Sequence, residues 1–478
     1  MTSGPPAARR TLLRIAGAVG LGVLAGCTSR TEERTTSTRT ATDAATAARS
    51  TTTDGATTAD ATATGSGTGA PVDALERRAV PFELTASSTG LDAVAARLAE
   101  TPVVGVGENS HGIAELKTIP RHLVRRLVGD HGVRLVAMEG TLGEFEAVDR
   151  YVTRGEGDLE AAMSSLRFYF WRTEDVRRTF EWLRSFNEGR PETERVRVRG
   201  YDAQRFAVNA RAIRSYLDRV DPAYLDDVSD ALDPLATPEQ AGSSGTRPTA
   251  ARERLVETLD ERLAAREDEY VAESSRREWR LVRRHVRTLE RGLRFHAASR
   301  DENFTEAKTI RDRAMAANVL WLREWTDADR VVVLGNSNHT MRGYGSENRR
   351  AARMGQHLSD ELGAEYYSLG MLFGTGSFAA PKGPHDSEFG TFEVDEPVDD
   401  TLSAALADVS QPKLFLDFER ARRRPAVDDW MDDVSRVQFT APRFAERGAL
   451  PVPASPGEVY DGVTFVREGS PASFRRSG

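Results

Sequence analysis

Five ionisable residues stand where this chain's pattern turns from strand to loop. Gly107-Glu108-Asn109-Ser110-His111-Gly112 follows an apolar run at 103–106, and Glu139-Gly140 follows another at 134–138. Gly200-Tyr201-Asp202 follows a third run at 196–199, and Gly335-Asn336-Ser337-Asn338-His339 follows a fourth at 330–334. Histidine beside carboxylate is the pairing that general-base chemistry needs: one ring nitrogen takes a proton, and the other is held by an acceptor that stabilises the cation as it forms. The pattern puts His111 near the start of the following helix, where the dipole disfavours imidazolium and keeps the base neutral. Glu108 or Glu139 is the expected partner for its other nitrogen.

The elements that must position these groups are short buried strands alternating with helices. Runs at 103–106, 134–138, 196–199, 330–334 and 365–369 read as buried strands. Between the first two, Leu116, Ile119, Leu123 and Leu127 form a helical stripe, in which Pro120 predicts a kink or a late start. Thr173 is placed to cap a helix through Phe180, Trp182 and Leu183. The alternation predicts an α/β fold, a mostly parallel sheet with helices on both faces. In such sheets ligands bind beyond the strand carboxyl ends, where all five residues fall.

Residues 206–325 break the alternation with long charged helices at 251–272 and 276–296, separated from earlier ones by a Pro/Gly/Ser stretch at 238–248. They predict a helical insertion closing the site, between a first core part at 73–205 and a second at 326–470. The Arg-rich faces of these helices are expected to be balanced by neighbouring acids. His122, His131, His285, His296, His357 and His385 are read as packed or solvated, and the arginines of 420–424 as a solvated turn.

The same residue types admit other chemistry. Glu108, His111, Glu139 and His339 suit a two-His, two-Glu metal site with an open water position. Ser337 follows a strand as a hydrolase nucleophile would, although no helix pattern continues from it. A non-catalytic tethered protein that captures a ligand at the same place is the third alternative.

The motifs also carry a resemblance. Gly107-Glu108-Asn109-Ser110-His111-Gly112, Ala137-Met138-Glu139, Phe170-Trp171-Arg172-Thr173-Glu174 and Gly200-Tyr201-Asp202 resemble the erythromycin esterase family. Arg311-Asp312-Arg313-Ala314-Met315-Ala316-Ala317-Asn318 and the strand ending in His339 continue the likeness across about 75–465. The resemblance implies an α/β hydrolase that cleaves an ester or lactone without an obligatory metal or other cofactor. His111 would be the base, and Glu108, Glu139 and His339 the other cleft residues. Arg172, Asp202, Asn338 and Lys117 are the candidate substrate-binding residues. Two positions depart from the family's usual pattern. Asn336 stands where a second histidine is frequent, and Pro120 where a basic residue is; Lys117 or Arg121 would then supply the charge that stabilises an oxyanion.

Composition bounds the rest. The chain has 478 residues and a formal charge of −8, which disfavours a nucleic-acid partner. Lysine occurs only at 117, 308, 382 and 413, so arginine supplies 61 of 65 basic residues. The single cysteine excludes intramolecular disulfides and thiolate clusters. Its position is informative: Arg9-Arg10, an apolar run at 15–25 too short to span a bilayer, and Leu24-Ala25-Gly26-Cys27 read as a twin-arginine-like lipoprotein signal over 1–27. A Thr/Ala/Ser-rich segment over 28–72 reads as a disordered tether. Together they predict an exported protein, anchored to the cell-surface membrane through a lipidated Cys27.

Overall fold

The computed structural model of the chain describes residues 70–237, 250–343, 352–382, 388–440 and 448–475. The signal, Cys27, nearly all of the tether, the 238–248 stretch and His385 lie outside the described residues. Within the described residues, the helix Val72–Glu76 buries Ala74 and Leu75.

The described residues form eleven strands. They are β1 Val80–Pro81, β2 Val103–Glu108, β3 Leu135–Thr141, β4 Arg197–Asp202, β5 Val331–Asn336, β6 Tyr366–Pro381, β7 Phe389–Val394, β8 Lys413–Asp417, β9 Arg436–Thr440, β10 Ala449–Pro453 and β11 Gly462–Gly469. Nine form one sheet in the order β1-β8-β11-β6-β2-β5-β3-β4, with β7 on the far end of β6; β9 and β10 pair separately. The six strands from β11 to β4 are parallel to their neighbours. β1, β7 and β8 run antiparallel at the margins. The mostly parallel α/β architecture expected from the alternation is therefore present.

Period-two side-chain alternation explains the two layers. Val104, Val106, Val136, Met138 and Leu334 face one way, into a core with Leu116, Leu123, Phe180 and Leu183 of the helices Glu115–Asp130 and Glu174–Asn187. Val103, Leu135, Ala137, Val331 and Val333 face the other, against Met315, Val319 and Leu322 of helix Phe304–Thr326 and Leu358 of Met354–Leu362. Each such side chain contributes roughly 1.5–3 kcal/mol on burial. Thr173 caps its helix as expected, accepting from the Val176 amide.

Two expectations are corrected and one is narrowed. Of the kink or late start expected at Pro120, the late start is excluded: the helix begins at Glu115 and runs to Asp130 through the proline. One missing backbone bond is offset by a stripe buried along the helix's length. The helix expected over 251–272 is two, Ala250–Ala265 and Glu267–Glu273. The break at Arg266 lets Arg262, Arg266 and the Tyr270 hydroxyl converge on one carboxylate, Asp221, at 2.9, 3.0 and 2.5 Å. The arginine faces are only partly balanced. Arg276, Arg280, Arg283 and Arg294 of helix Arg276–Arg300 have acidic partners, whereas Arg284, Arg287 and Arg291 have none among the described residues.

The helices between 207 and 300 share a core of their own, including Ile213, Leu217, Leu259, Leu263, Val286 and Leu289. They dock where β4 ends: Gly292 abuts the Ala203 carbonyl, and His296 Nε2 lies 2.8 Å from the Gln204 carbonyl oxygen. His285 ties the same helix to the core, its ring nitrogens 2.9 Å from Asn209 Oδ1 and 2.7 Å from Glu146 Oε1.

Gly107 links this fold to its site. A Cβ there would sit 2.1 Å from Thr340 Oγ1 and 2.7 Å from Ser337 Cα, so the turn carrying His339 packs directly on the β2 backbone. Gly107→Ala should therefore cost roughly 1–3 kcal/mol of stability by overpacking, measured by urea titration. A variant as stable as wild type would show that the turn yields freely.

Candidate active site

β2 ends in Glu108, whose register partner on β5 is Asn336. The Asn336 amide donates to Glu139 Oε2 at 2.9 Å, and β4 closes the row with Asp202. Adjacent parallel strands thus deliver these groups side by side. A register shift between Met138 and Thr141 takes Glu139 out of the ladder, and its freed carbonyl accepts from the Trp171 indole.

His111 sits in a turn four residues ahead of the first helical residue, Glu115. The turn is fastened from distant parts of the chain. Asn109 Nδ2 donates to the Gln438 carbonyl at 2.8 Å, and Thr440 Oγ1 to Ser110 Oγ at 2.7 Å. A Cβ on Gly112 would lie 1.9 Å from the Ala379 carbonyl oxygen, so only glycine allows that approach. His111 Nδ1 lies 2.7 Å from Glu108 Oε1, and its ring stacks on Phe170 at 3.9 Å between centroids with a 1° interplanar angle. Nε2 has no hydrogen-bond partner among the described residues, and the side chain retains 12% exposure.

Glu108 is held on its other side by Lys117 Nζ, 2.6 and 2.5 Å from its two oxygens. Burial alone would raise the Glu108 carboxyl; Lys117 and His111 outweigh it and hold the group below the usual carboxylate range. Lys117 Nζ also lies 5.4 Å from the Phe170 and Trp171 ring centres. Behind this pair is a cavity of about 20 Å³ lined by Val106, Leu116, Val124, Met138 and Leu334, room for about one water.

The second cluster centres on Arg311. Its guanidinium donates to Asp202 at 2.8 and 3.1 Å and to Glu139 Oε1 at 3.1 Å. Nη1 lies 3.2 Å from His339 Nε2, which makes that nitrogen the acceptor. The His339 Nδ1 proton then points to Asp312 Oδ1, 2.7 Å away. Burial opposes the charge on both Arg311 and Asp202, but their mutual attraction holds Arg311 above and Asp202 below its ordinary value. Asp312 is likewise buried, yet His339 and Arg353 bring its carboxyl down to about 2.

The structure brings Glu108 to His111, and Glu139 to within 3.6 Å of His339. Lys117 and Asp202, expected to bind substrate, pair with Glu108 and Arg311. Arg172 is buried with Nη1 3.4 Å from the Leu166 carbonyl, and the Asn338 amide donates to the Asn336 side chain that caps its turn. Arg121 pairs with Asp175 at 2.6 Å, away from Glu108. Sequence reasoning assigned no role to Arg311 or Asp312, although both stand in a quoted motif. The available signal was a charged pair followed by a run of small and apolar residues. It also passed over Glu144, which burial raises to about 7.

Two alternatives lose their geometry. Among the described residues no three His, Cys, Asp or Glu side chains are arranged to hold a metal, and each would-be carboxylate ligand already has Lys117 or Arg311 against it. Ser337 is fully buried against Gly107, away from either imidazole's ring nitrogens.

Asp312 gives a test of the second cluster. Its folded value of about 2 is below the ordinary 3.8, so its stabilisation is complete above about pH 4 and is lost as pH falls through 2. Asp312→Asn breaks a buried pair and should cost roughly 3–5 kcal/mol near neutrality. The wild-type advantage in urea titrations should narrow between about pH 4 and 2. An advantage independent of pH would remove the ion pair as its source.

Comparison with known proteins agrees with this architecture. The erythromycin esterase family model matches residues 128–469, which takes in Glu139, Asp202, Arg311 and His339 and begins after His111. The chain is 23% identical to erythromycin esterase type II of Escherichia coli over 352 residues, 67% of this chain and 81% of that one. Its fold is similar to a Bacillus cereus crystal structure, with TM-score 0.72 at 20% identity over 85% of this chain and 98% of that one. It is also similar to a mutant of the erythromycin esterase EreC in its open conformation, with TM-score 0.58 at 18% identity over 79% and 93%. With the family model covering well over half of its length, the chain belongs to the erythromycin esterase family.

Proposed function

We propose that this protein hydrolyses a carboxylic ester or lactone, with His111 as the general base for the attacking water. The observation that carries the reading is the His111 ring, anchored through Nδ1 to Glu108 with Nε2 left unpartnered among the described residues. Nε2 takes a proton from water as its oxygen adds to the substrate carbonyl. Glu108, kept ionised by Lys117, stabilises the imidazolium. The imidazolium then returns that proton to the departing alkoxide, and the products are a carboxylic acid and an alcohol.

His339 with Asp312 is a second histidine–carboxylate pair and supports the one competing assignment. Its Nε2 already faces Arg311, so it would have to lose that donor before accepting a proton. His111 needs no such rearrangement. The E. coli relative's name supports a macrolide lactone as the first substrate to try.

His111→Ala should lower kcat/KM on simple esters or macrolides at least about a hundredfold, the scale of a general base, with the melting temperature retained. A variant that turns over at the wild-type rate while His339→Ala is inactive would move the base to His339. Equal rates for wild type and both variants would leave ligand capture without turnover.

The N-terminal pattern further supports an exported, lipid-anchored enzyme. Membrane-fraction protein should carry a diacylglyceryl group on Cys27, visible by mass spectrometry of the N-terminal peptide, and Cys27→Ala should be released into the soluble fraction. An unmodified, soluble wild type would refute the anchor.

A further inference from the structure

Helix Arg276–Arg300 carries arginine at 277, 280, 284, 287, 291 and 294, a three-and-four spacing that puts all six on one face. This face meets helix Phe304–Thr326. Towards its ends Arg280 pairs with Glu324 at 2.6 Å and Arg294 with Glu290 at 3.5 Å, while Arg277 lies 4.3 Å from the Trp325 ring centre with Nη2 buried and unpaired among the described residues. In the middle two arginines lack acidic partners. Arg284 is 95% buried; its Nε donates to Asn318 Oδ1 at 2.7 Å, its guanidinium lies 5.5 Å from the Trp321 ring centre, and its Nη2 is buried without a partner. Arg291 leaves Nη1 buried without a partner as well. Arg287 and Arg313 stand exposed at the margin, with no ion pair among the described residues.

Unpaired buried cations are costly, and these lie close enough to repel one another. Burial, then Arg291 and Arg287, lower Arg284 to about 9. Burial also lowers Arg291, with repulsion from Arg287, Arg313 and Arg294 added. Among the described residues the acid acting on Arg291 is Glu290, which is shared with Arg294. Such an arrangement, in a chain of formal charge −8, lacks an anion. Guanidinium forks match the geminal oxygens of a tetrahedral oxyanion, each offering two parallel donors. The depth of Arg284 and Arg291 between two helices favours a small group over an extended polyanion.

We infer that the groove between helices Arg276–Arg300 and Phe304–Thr326 is a binding site for a phosphate-class oxyanion, held by Arg284 and Arg291 with Arg287 and Arg313 at its mouth. The site shares no residue with the catalytic reading, so either stands if the other fails. Asn318 joins it to the core, donating through Nδ2 to the Tyr201 carbonyl at 2.8 Å.

Thermal melts of the full chain against inorganic phosphate, with chloride at matched ionic strength, test the inference. Phosphate should raise the melting temperature saturably by roughly 2 °C or more, with chloride doing nothing comparable. The double variant Arg287→Gln/Arg291→Gln should lose this response, and Arg280→Gln should keep it. Arg313→Glu supplies a carboxylate in place and should raise the phosphate-free melting temperature while weakening the phosphate response. Equal shifts from chloride, or an undiminished response in the double variant, would overturn the site. Vesicles containing phosphatidic acid separate the sources. Co-sedimentation that free phosphate competes away supports a lipid phosphate as ligand, and phosphate stabilisation without co-sedimentation supports a soluble one.

Discussion

The site depends on one buried cation. Arg311 meets Asp202 at the end of β4, Glu139 at the end of β3 and His339 in the turn after β5. Taking a guanidinium and two carboxylates out of water is costly, and only near-complete hydrogen bonding offsets that cost. The guanidinium's planar fork does so because three strand ends stand side by side. The parallel sheet makes the pairing possible, and the pairing fixes where strand ends and the Phe304–Thr326 helix meet. Charge bookkeeping then extends across the cleft. Glu108, Glu139, Asp202 and Asp312 face Lys117, Arg311 and Arg353, which leaves one negative charge in excess. An excess of that sign favours a transient imidazolium over a permanent second cation.

The two histidines share a design and differ in one contact. Each has Nδ1 set by a buried carboxylate, Glu108 or Asp312, at the same 2.7 Å. Each carboxylate is in turn held by a cation, Lys117 or Arg353. What separates them is the other nitrogen: His339 Nε2 faces a fixed donor, while His111 Nε2 faces none among the described residues. The stacked Phe170 ring holds the His111 plane without competing for its proton. The two histidines therefore differ through their environment and not through residue type.

How much of this was legible follows from where the information sits. Strands such as β2 and β3 are buried on both faces, so they appear as unbroken apolar runs, and polar residues after them must fall at the ends. That logic located Glu108, His111, Glu139, Asp202 and His339. The fastening of the His111 turn was not legible, because Gln438 and Thr440 lie some 330 positions away and nothing local marks them. Arg311 was hidden differently: among 61 arginines, one more on a helix carries little information until a contact singles it out. The late start allowed for at Pro120 does not occur, because the buried stripe on either side of the proline outweighs its local penalty.

Arginine abundance explains both what was missed and what the structure adds. A composition with four lysines gives almost every cationic position the same residue, whether its task is catalytic support, surface solvation or ligand capture. Only the surroundings distinguish these. Arg311 is buried and surrounded by carboxylates; Arg423 is exposed beside Glu419; Arg284 is buried with no carboxylate partner among the described residues. The first two arrangements are electrically complete. The third is not, and a buried charge without its counterpart persists in a fold only when its cost is met by neighbouring packing or by something that binds.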